Sequence, residues 1–429
     1  MNFALERVLR PHWLALIPVL VSLGAWIVPW GPSVRRGFSD PESLTPFAVA
    51  VLFAWYGGIA AAAALGFSMG RRSRPLSSLS TASDRSYYGF FSVVAFIGVA
   101  YTYFSVLRVD PNAVARGLEG TTFNQVRYLV PYSSGLHTLR YATILAGGVA
   151  LHRLFWRREV RVLHLLNLAL LFASAAIASR LSLLVAGFIA AALVVRDRPS
   201  LRLTPKLVVG AGVALFLVTM PLSYYRTASF YALYFNTSNP VIINLGEIVA
   251  YVGAPFQVSV AVANHGTVAG APDGALARKA AATYIAPSYL KVSYPEVVEA
   301  ESAYAEYTDI DGAGDIGQLL TNSAFAQMFG SMGLAAFPLM ISIAYASAML
   351  AGHASHYPSY FSLTSIVVGY GFAELWRVYI FNLGLLHFLL ILLTVWPVIH
   401  SFVFVTRRGH ERARASNVEA RSAILSSEQ

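Results

Sequence analysis

Arginine alternates between abundance and scarcity in the connections that separate the apolar stretches of this chain, and that alternation constrains the fold more than any other feature. Stretches apolar enough to cross a bilayer, which takes about 20 residues, lie at 13–30, 47–69, 87–107, 135–155, 163–179, 181–195, 207–223, 324–350, 360–381 and 385–404. The basic connections hold Arg7 and Arg10, then Arg71, Arg72, Arg74 and Arg85, then Arg153, Arg157, Arg158 and Arg161, then Arg196, Arg198, Arg202 and Lys206. A final cluster of Arg407, Arg408, Arg412, Arg414 and Arg421 closes the chain. If the spans alternate, every cluster falls on one side of the membrane, and the positive-inside rule makes that side the cytoplasm, with both termini there. The expected fold is an all-α polytopic membrane protein of about ten transmembrane helices. Residues 1–223 form spans one to seven, 224–323 a large extracytoplasmic loop, 324–406 the last three spans, and 407–429 a basic cytoplasmic tail.

A chain that is 56% hydrophobic and 12% charged, with mean hydropathy +0.58, is outside the range of soluble domains. Its net charge of +10 is distributed loop by loop as an orientation signal, so nucleic acid is not an expected partner, whereas membrane lipid is. The absence of cysteine excludes disulfides and thiolate metal sites. The first span ends in Trp26, Pro29 and Trp30 without a small-residue cleavage site, and reads as a retained helix with an aromatic belt.

Within the long loop, 241–263 is apolar enough to suggest a further span. A full crossing there would invert the last three spans and carry Arg407, Arg408, Arg412 and Arg414 outside. Glu247 and Gly253-Ala254-Pro255 also argue against an ordinary lipid-facing helix. The segment is therefore expected to be re-entrant or interfacial, resting on the bundle. Tyr284, Tyr289, Tyr294, Tyr304 and Tyr307 mix with acids beyond it. Tyrosine faces beside carboxylates suit sugar rings, and Tyr284, Tyr289 and Tyr304 are the candidate sugar contacts, with interfacial anchoring as the plainer role.

Five arginines depart from the inside bias: Arg127 in the third outer connection, Arg140 one turn into span four, Arg180 at the bend between spans five and six, Arg226 past span seven, and Arg377 near the outer end of span nine. Their span positions project to one membrane level. Charge at such a depth is costly and marks a functional site. Several planar guanidinium groups together suit a pyrophosphate, whose oxygens they grip bidentately at any relevant pH. Glu374 lies three residues before Arg377, so an ion pair on one helix face competes with that role. The residues suited to act as a base at this level are Glu247, His137, His265 and Asp315.

Asn124-Gln125-Val126-Arg127-Tyr128 leading into Gly135-Leu136-His137-Thr138-Leu139-Arg140, the Ser179-Arg180-Leu181 turn, and Thr321-Asn322-Ser323-Ala324-Phe325 with Phe329-Gly330-Ser331-Met332-Gly333 resemble the Wzy-type polymerases of O-antigen and exopolysaccharide repeat units. The likeness extends to the plan of ten or more spans with one large late outer loop. It implies a glycosyltransferase of the integral-membrane C superfamily in the bacterial plasma membrane. The enzyme would join undecaprenyl-pyrophosphate-linked oligosaccharides with inversion and without metal or other cofactor, and a chain-length regulator is a conceivable partner. Arg180 and Arg226 would stabilise the departing pyrophosphate, with Arg127, Arg140 and Arg377 behind them. Two positions depart from the pattern: Ser331 stands where many polymerases carry an acid, and Thr321-Asn322 where the related ligases carry His-Asn.

Three alternatives stand beside this reading. Asp40-Pro41-Glu42 resembles the acidic pair of polyprenyl-phosphate-sugar glycosyltransferases, some of which use a metal. An O-antigen ligase is the second. A lipid-linked-oligosaccharide flippase or exporter is the third, disfavoured because the polar intramembrane residues read from sequence gather near the outer side. Asp309-Ile310-Asp311-Gly312-Ala313-Gly314-Asp315 has the style of a calcium loop but lacks the full ligand set, and reads as a solvated turn. No nucleotide-binding Gly-rich loop, zinc-protease helix or hydrolase nucleophile elbow occurs.

Overall fold

A computed structural model describes residues 5–28, 42–76, 82–113, 136–177, 181–202, 237–265, 274–302 except 291 and 293, and 323–400, with scattered positions from 204 to 216. Every regular element among them is helical. In chain order they are α1 (Pro11–Ile27), α2 (Pro46–Arg72), α3 (Asp84–Val109), α4 (Ala142–Leu151), α5 (Val162–Ile177), α6 (Leu181–Asp197), α7 (Pro240–His265), α8 (Gly274–Ile285), α9 (Pro295–Ser302), α10 (Ala324–Met332), α11 (Ala336–Ala354), α12 (Leu363–Glu374) and α13 (Gly384–His400). Four helical stretches, α2, α3, α7 and the run Ala324–Ala354, are long and apolar enough to cross a membrane, and α1, α5 and α13 are shorter apolar helices. These are the traits of a membrane protein.

The helices start where local chemistry caps them. Thr45 accepts from Ala48 N at α2, Ser83 from Ser86 N at α3 and Ser323 from Ala326 N at α10, which satisfies amide groups left open by the first turn. The run at 324–350 divides because Gly333 takes φ 57°, a left-handed conformation that favours glycine; α10 stops there and α11 starts three residues on. The span expected at 135–155 is likewise composite: a 3₁₀ turn Leu136–Tyr141, then α4, then a π-helical turn His152–Trp156. The stretch at 360–381 leaves α-helical form after Glu374 and returns to it only at Gly384.

The closest helix pair is α2 with α11. They run in the same direction, and a Cβ placed on Gly66 would collide with the Tyr345 carbonyl, on Gly70 with the Met349 carbonyl and on Gly352 with the Phe67 carbonyl. Gly66 and Gly70 stand four residues apart, the small-residue spacing that lets backbones meet where no hydrophobic driving force separates protein from lipid. Ala344, Ala348 and Ala351, all fully buried, continue the thin face on α11.

Helix α7 covers the segment 241–263. It is one unbroken 26-residue helix with Pro255 inside it. It lies along α1 rather than across it: Ser22 Oγ donates to Val252 O at 2.6 Å, and Trp26 Nε1 to Gln257 Oε1 at 2.7 Å. Those bonds advance in step along both helices, so the pair is parallel, and a rise of about 1.5 Å per residue sets Pro240 roughly level with Pro11. Thr45 Oγ1 donates to Asn264 Oδ1 at 2.6 Å and Asn264 Nδ2 to Ser43 O at 2.7 Å. The C-terminal end of α7 thus lies beside the start of α2. Further on, Lys279 Nζ donates to Glu296 at 2.6 Å and joins α8 to α9; that hydrogen bond holds the Glu296 carboxyl below its ordinary range.

Gly70→Ala and Gly66→Ala should each lower the thermal midpoint of purified protein, since the obstructing atoms are backbone; overpacking of this kind costs about 1–3 kcal/mol or more. Gly57→Ala, with nothing within 4 Å, should leave the midpoint unchanged. Equal midpoints for all three would refute the glycine contact.

Candidate functional site

Two of the five singled-out arginines, Arg140 and Arg377, fall within the described residues. Tyr360 N donates to Asp84 Oδ1 at 2.7 Å, which aligns the start of α3 with the start of the α12 segment. Arg140 lies against Gly98, where a Cβ would strike its backbone nitrogen. Helix α6 stands between the two sites, touching Tyr370 through Phe188 at 5.6 Å and α4 at Gly148 through Ile189. Arg127, Arg180 and Arg226 lie outside the described residues, as do Asp315, Tyr304, Asp40, Asp309 and Asp311.

The two guanidinium groups are in opposite states. Arg377 is committed: Nε donates to Glu374 Oε2 at 2.7 Å, Nη2 lies 2.5 Å from the same oxygen, and Nη1 donates to the Tyr251 hydroxyl of α7. Tyr370 donates to the other Glu374 oxygen, and the Arg377 guanidinium carbon is 5.2 Å from the Tyr251 ring centroid. Arg377 and Glu374 side chains are only 15% and 11% exposed. The pair thus ties α7 to the end of α12, the structural role that the i,i+3 spacing allows. Arg140 is different. Its Nη2 donates to the Tyr141 hydroxyl at 3.2 Å and its guanidinium rests over that ring at 4.9 Å, but Nε and Nη1 are buried with no acceptor. His137 is on the same 3₁₀ turn, three residues earlier, where side chains eclipse; it is buried, its Nδ1 3.4 Å from Thr102 Oγ1 and its ring 4.9 Å from that of Tyr101.

The remaining sequence candidates scatter. His265, at the end of α7, meets Glu42 at 3.4 Å. This joins a base candidate to one member of the acidic pair, but Arg377's partner Tyr251 is fourteen residues, about 21 Å, back along the helix. Glu247 lies within α7 one turn before Tyr251. Tyr284 is buried, its hydroxyl donating to Gln327 O at 2.6 Å and its ring edge-on to Tyr379 at 5.4 Å, so its faces are taken by protein. Tyr289 is open to the outside, 51% exposed. Ser331 is enclosed, donating to Gln327 O at 2.9 Å. No group of three or more metal-ligating side chains occurs among the described residues.

A polar network that the sequence reading missed occupies the basic end. Asp197 accepts from Arg157 Nε at 3.0 Å and Nη2 at 3.1 Å and lies 3.1 Å from His152 Nε2. Arg153 reaches the Tyr360 hydroxyl at 3.2 Å and Glu159 at 3.4 Å; Arg196 donates to Ser362 at 3.1 Å; Tyr88 OH meets His164 Nδ1 at 2.8 Å. Buried polarity is therefore not confined to the outer side. The signal was present in the acids Asp84, Glu159 and Asp197 placed among the inside arginines, which a count of positive charge alone passes over.

Comparison with family models, with curated proteins and with solved structures finds no match to this chain.

Glu374→Ala should destabilise the protein by about 3–5 kcal/mol by leaving Arg377 buried and unpaired, while the double change Glu374→Leu with Arg377→Met should recover most of that loss. Thermal midpoints in detergent read both. A double variant no better than the single one would show that the pair does more than balance its own charge.

Proposed function

We propose that this chain is an integral-membrane glycosyltransferase that joins oligosaccharide repeat units carried on undecaprenyl pyrophosphate, at the outer face of a bacterial plasma membrane. In this reading it has about ten spans and both termini are cytoplasmic. The observation that carries the proposal is Arg140, whose two buried donors have no acceptor among the described residues. A cation desolvated without a partner costs several kcal/mol, and a phosphate oxygen is the ligand that repays a guanidinium fork best. The sequence resemblance to Wzy-type polymerases, which runs through this same 135–140 segment, supports a pyrophosphate as that ligand.

The chemistry is a single displacement. An acceptor sugar hydroxyl attacks the anomeric carbon of the lipid-linked chain, the new glycosidic bond forms with inversion, and the bond to the pyrophosphate oxygen breaks. Arg140 stabilises the charge arriving on that oxygen, with Arg180, Arg226 and Arg127 as further contributors. His137, on the Arg140 turn, takes the acceptor proton in preference to His265, which is held by Glu42 at the far end of α7. Arg377 supports the site through Glu374 and Tyr251 rather than by direct contact.

The Glu42–His265 approach favours one second reading, a polyprenyl-phosphate-sugar glycosyltransferase that works through Asp40 and Glu42. An assay with purified protein, lipid-linked repeat units and gel readout of product length separates the two. On the first reading, Arg140→Gln lowers extension by on the order of 10²-fold in folded protein, Arg180→Lys is also impaired, and extension persists in excess chelator. Chelator-sensitive turnover that tolerates Arg140→Gln but not Glu42→Gln would replace it with the second.

A further inference from the structure

A groove of about 230 Å³ opens between α11 and α13. Ile343, Ser347 and Leu350 form one wall and Leu386, His387 and Leu390 the other, with Val368 of α12 as the floor. Tyr379 and Tyr284 close one end; the Tyr379 hydroxyl donates to Tyr284 O at 3.1 Å, so both belong to a fixed wall. The lining holds no formally charged side chain, which excludes a carboxylate or phosphate from the interior.

The surroundings say what enters. Leu350 both lines the groove and is itself exposed, and the same two helices present further exposed apolar side chains, Met349 on α11 and Ile391 and Val395 on α13. The lip is thus continuous with the surface that a membrane-spanning Ala324–Ala354 run turns toward hydrocarbon. The volume exceeds the roughly 150 Å³ of an engineered apolar cavity that admits benzene. Tyr289, whose ring lies 6.2 Å from that of His387 and is half-exposed, stands beside the groove as an interfacial aromatic does at head-group level.

We propose that this groove is a binding site for one acyl chain of a bilayer phospholipid, which enters sideways from the membrane with its head group left outside near Tyr289. Mass action favours this occupant, because acyl chains are the bulk solvent at the lip. The lipid supports the α11–α13 contact and hence the 375–383 connection, whose Tyr379 and Phe381 line the groove. The proposal does not depend on the glycosyltransferase reading.

Native mass spectrometry of full-length protein extracted in mild detergent tests it. Wild-type protein should retain an adduct of one phospholipid mass. Ala346→Phe, which fills the groove from α11, should lower its occupancy by about tenfold, whereas Val93→Phe on the exposed face of α3 should leave it unchanged. Absence of the adduct from wild type, its persistence in Ala346→Phe, or an adduct with the mass of a polyprenyl carrier would each overturn the proposal. If Ala346→Phe does not fold, a benzophenone side chain placed at Leu350 and irradiated in native membranes decides: phospholipid cross-links support the site, and their absence refutes it.

Discussion

A backbone that leaves helical form inside an apolar bundle has to find its hydrogen bonds within the protein, since the surrounding hydrocarbon offers none. The nine residues from 375 to 383 meet part of that requirement through two neighbouring elements. Leu375 O accepts from Ala324 N at 3.1 Å, Tyr379 N donates to Gln327 Oε1 at 2.8 Å, and Asn382 O accepts from Ser288 N at 2.7 Å. Those bonds fix α10, the outer Ser288–Leu290 turn and the connection to one another. Arg377 at one end of the connection and Tyr379 and Phe381 at the lipid groove are held by the same few contacts.

Placed in that frame, two buried cations are treated in contrasting ways. Arg377 is neutralised by Glu374 and held against Tyr251, an arrangement whose net stabilisation is small because desolvation offsets attraction, yet whose disruption is costly. It specifies how α7 sits on α12. Arg140 has no counter-charge among its contacts in the described residues, only the Tyr141 ring and hydroxyl. The two arginines thus differ: one ties helices together, and the other keeps two buried donors without an acceptor among the described residues.

Much of the architecture was legible in the sequence because hydrophobic length and charge placement are strong signals in a membrane chain. Helix α3 and the helical core of α2 fall where the apolar runs put them. Breaks inside spans were not legible, because Gly333, the π-turn at His152–Trp156 and the irregular 375–383 segment depend on tertiary partners far away in the chain. The course of α7 alongside α1 was not legible either. Glu247 and Pro255 count against a lipid-facing helix, but much of α7 is covered by α1, α2 and α10, and burial against protein relaxes that objection. The candidate site was legible as a list of residue types, not as a geometry: nothing in the spacing tells that Arg377 is neutralised while Arg140 is not, or that Tyr284 faces inward.

The glycine contact between α2 and α11 carries a consequence for biogenesis. The two faces are separated by about 280 residues, so α2 enters the bilayer long before its partner exists. At ordinary rates of synthesis the interval is on the order of tens of seconds, during which the groove at Gly66 and Gly70 meets only lipid. Joining the earliest and latest parts of the chain then becomes a closing step, and truncation anywhere before α11 leaves that seam open.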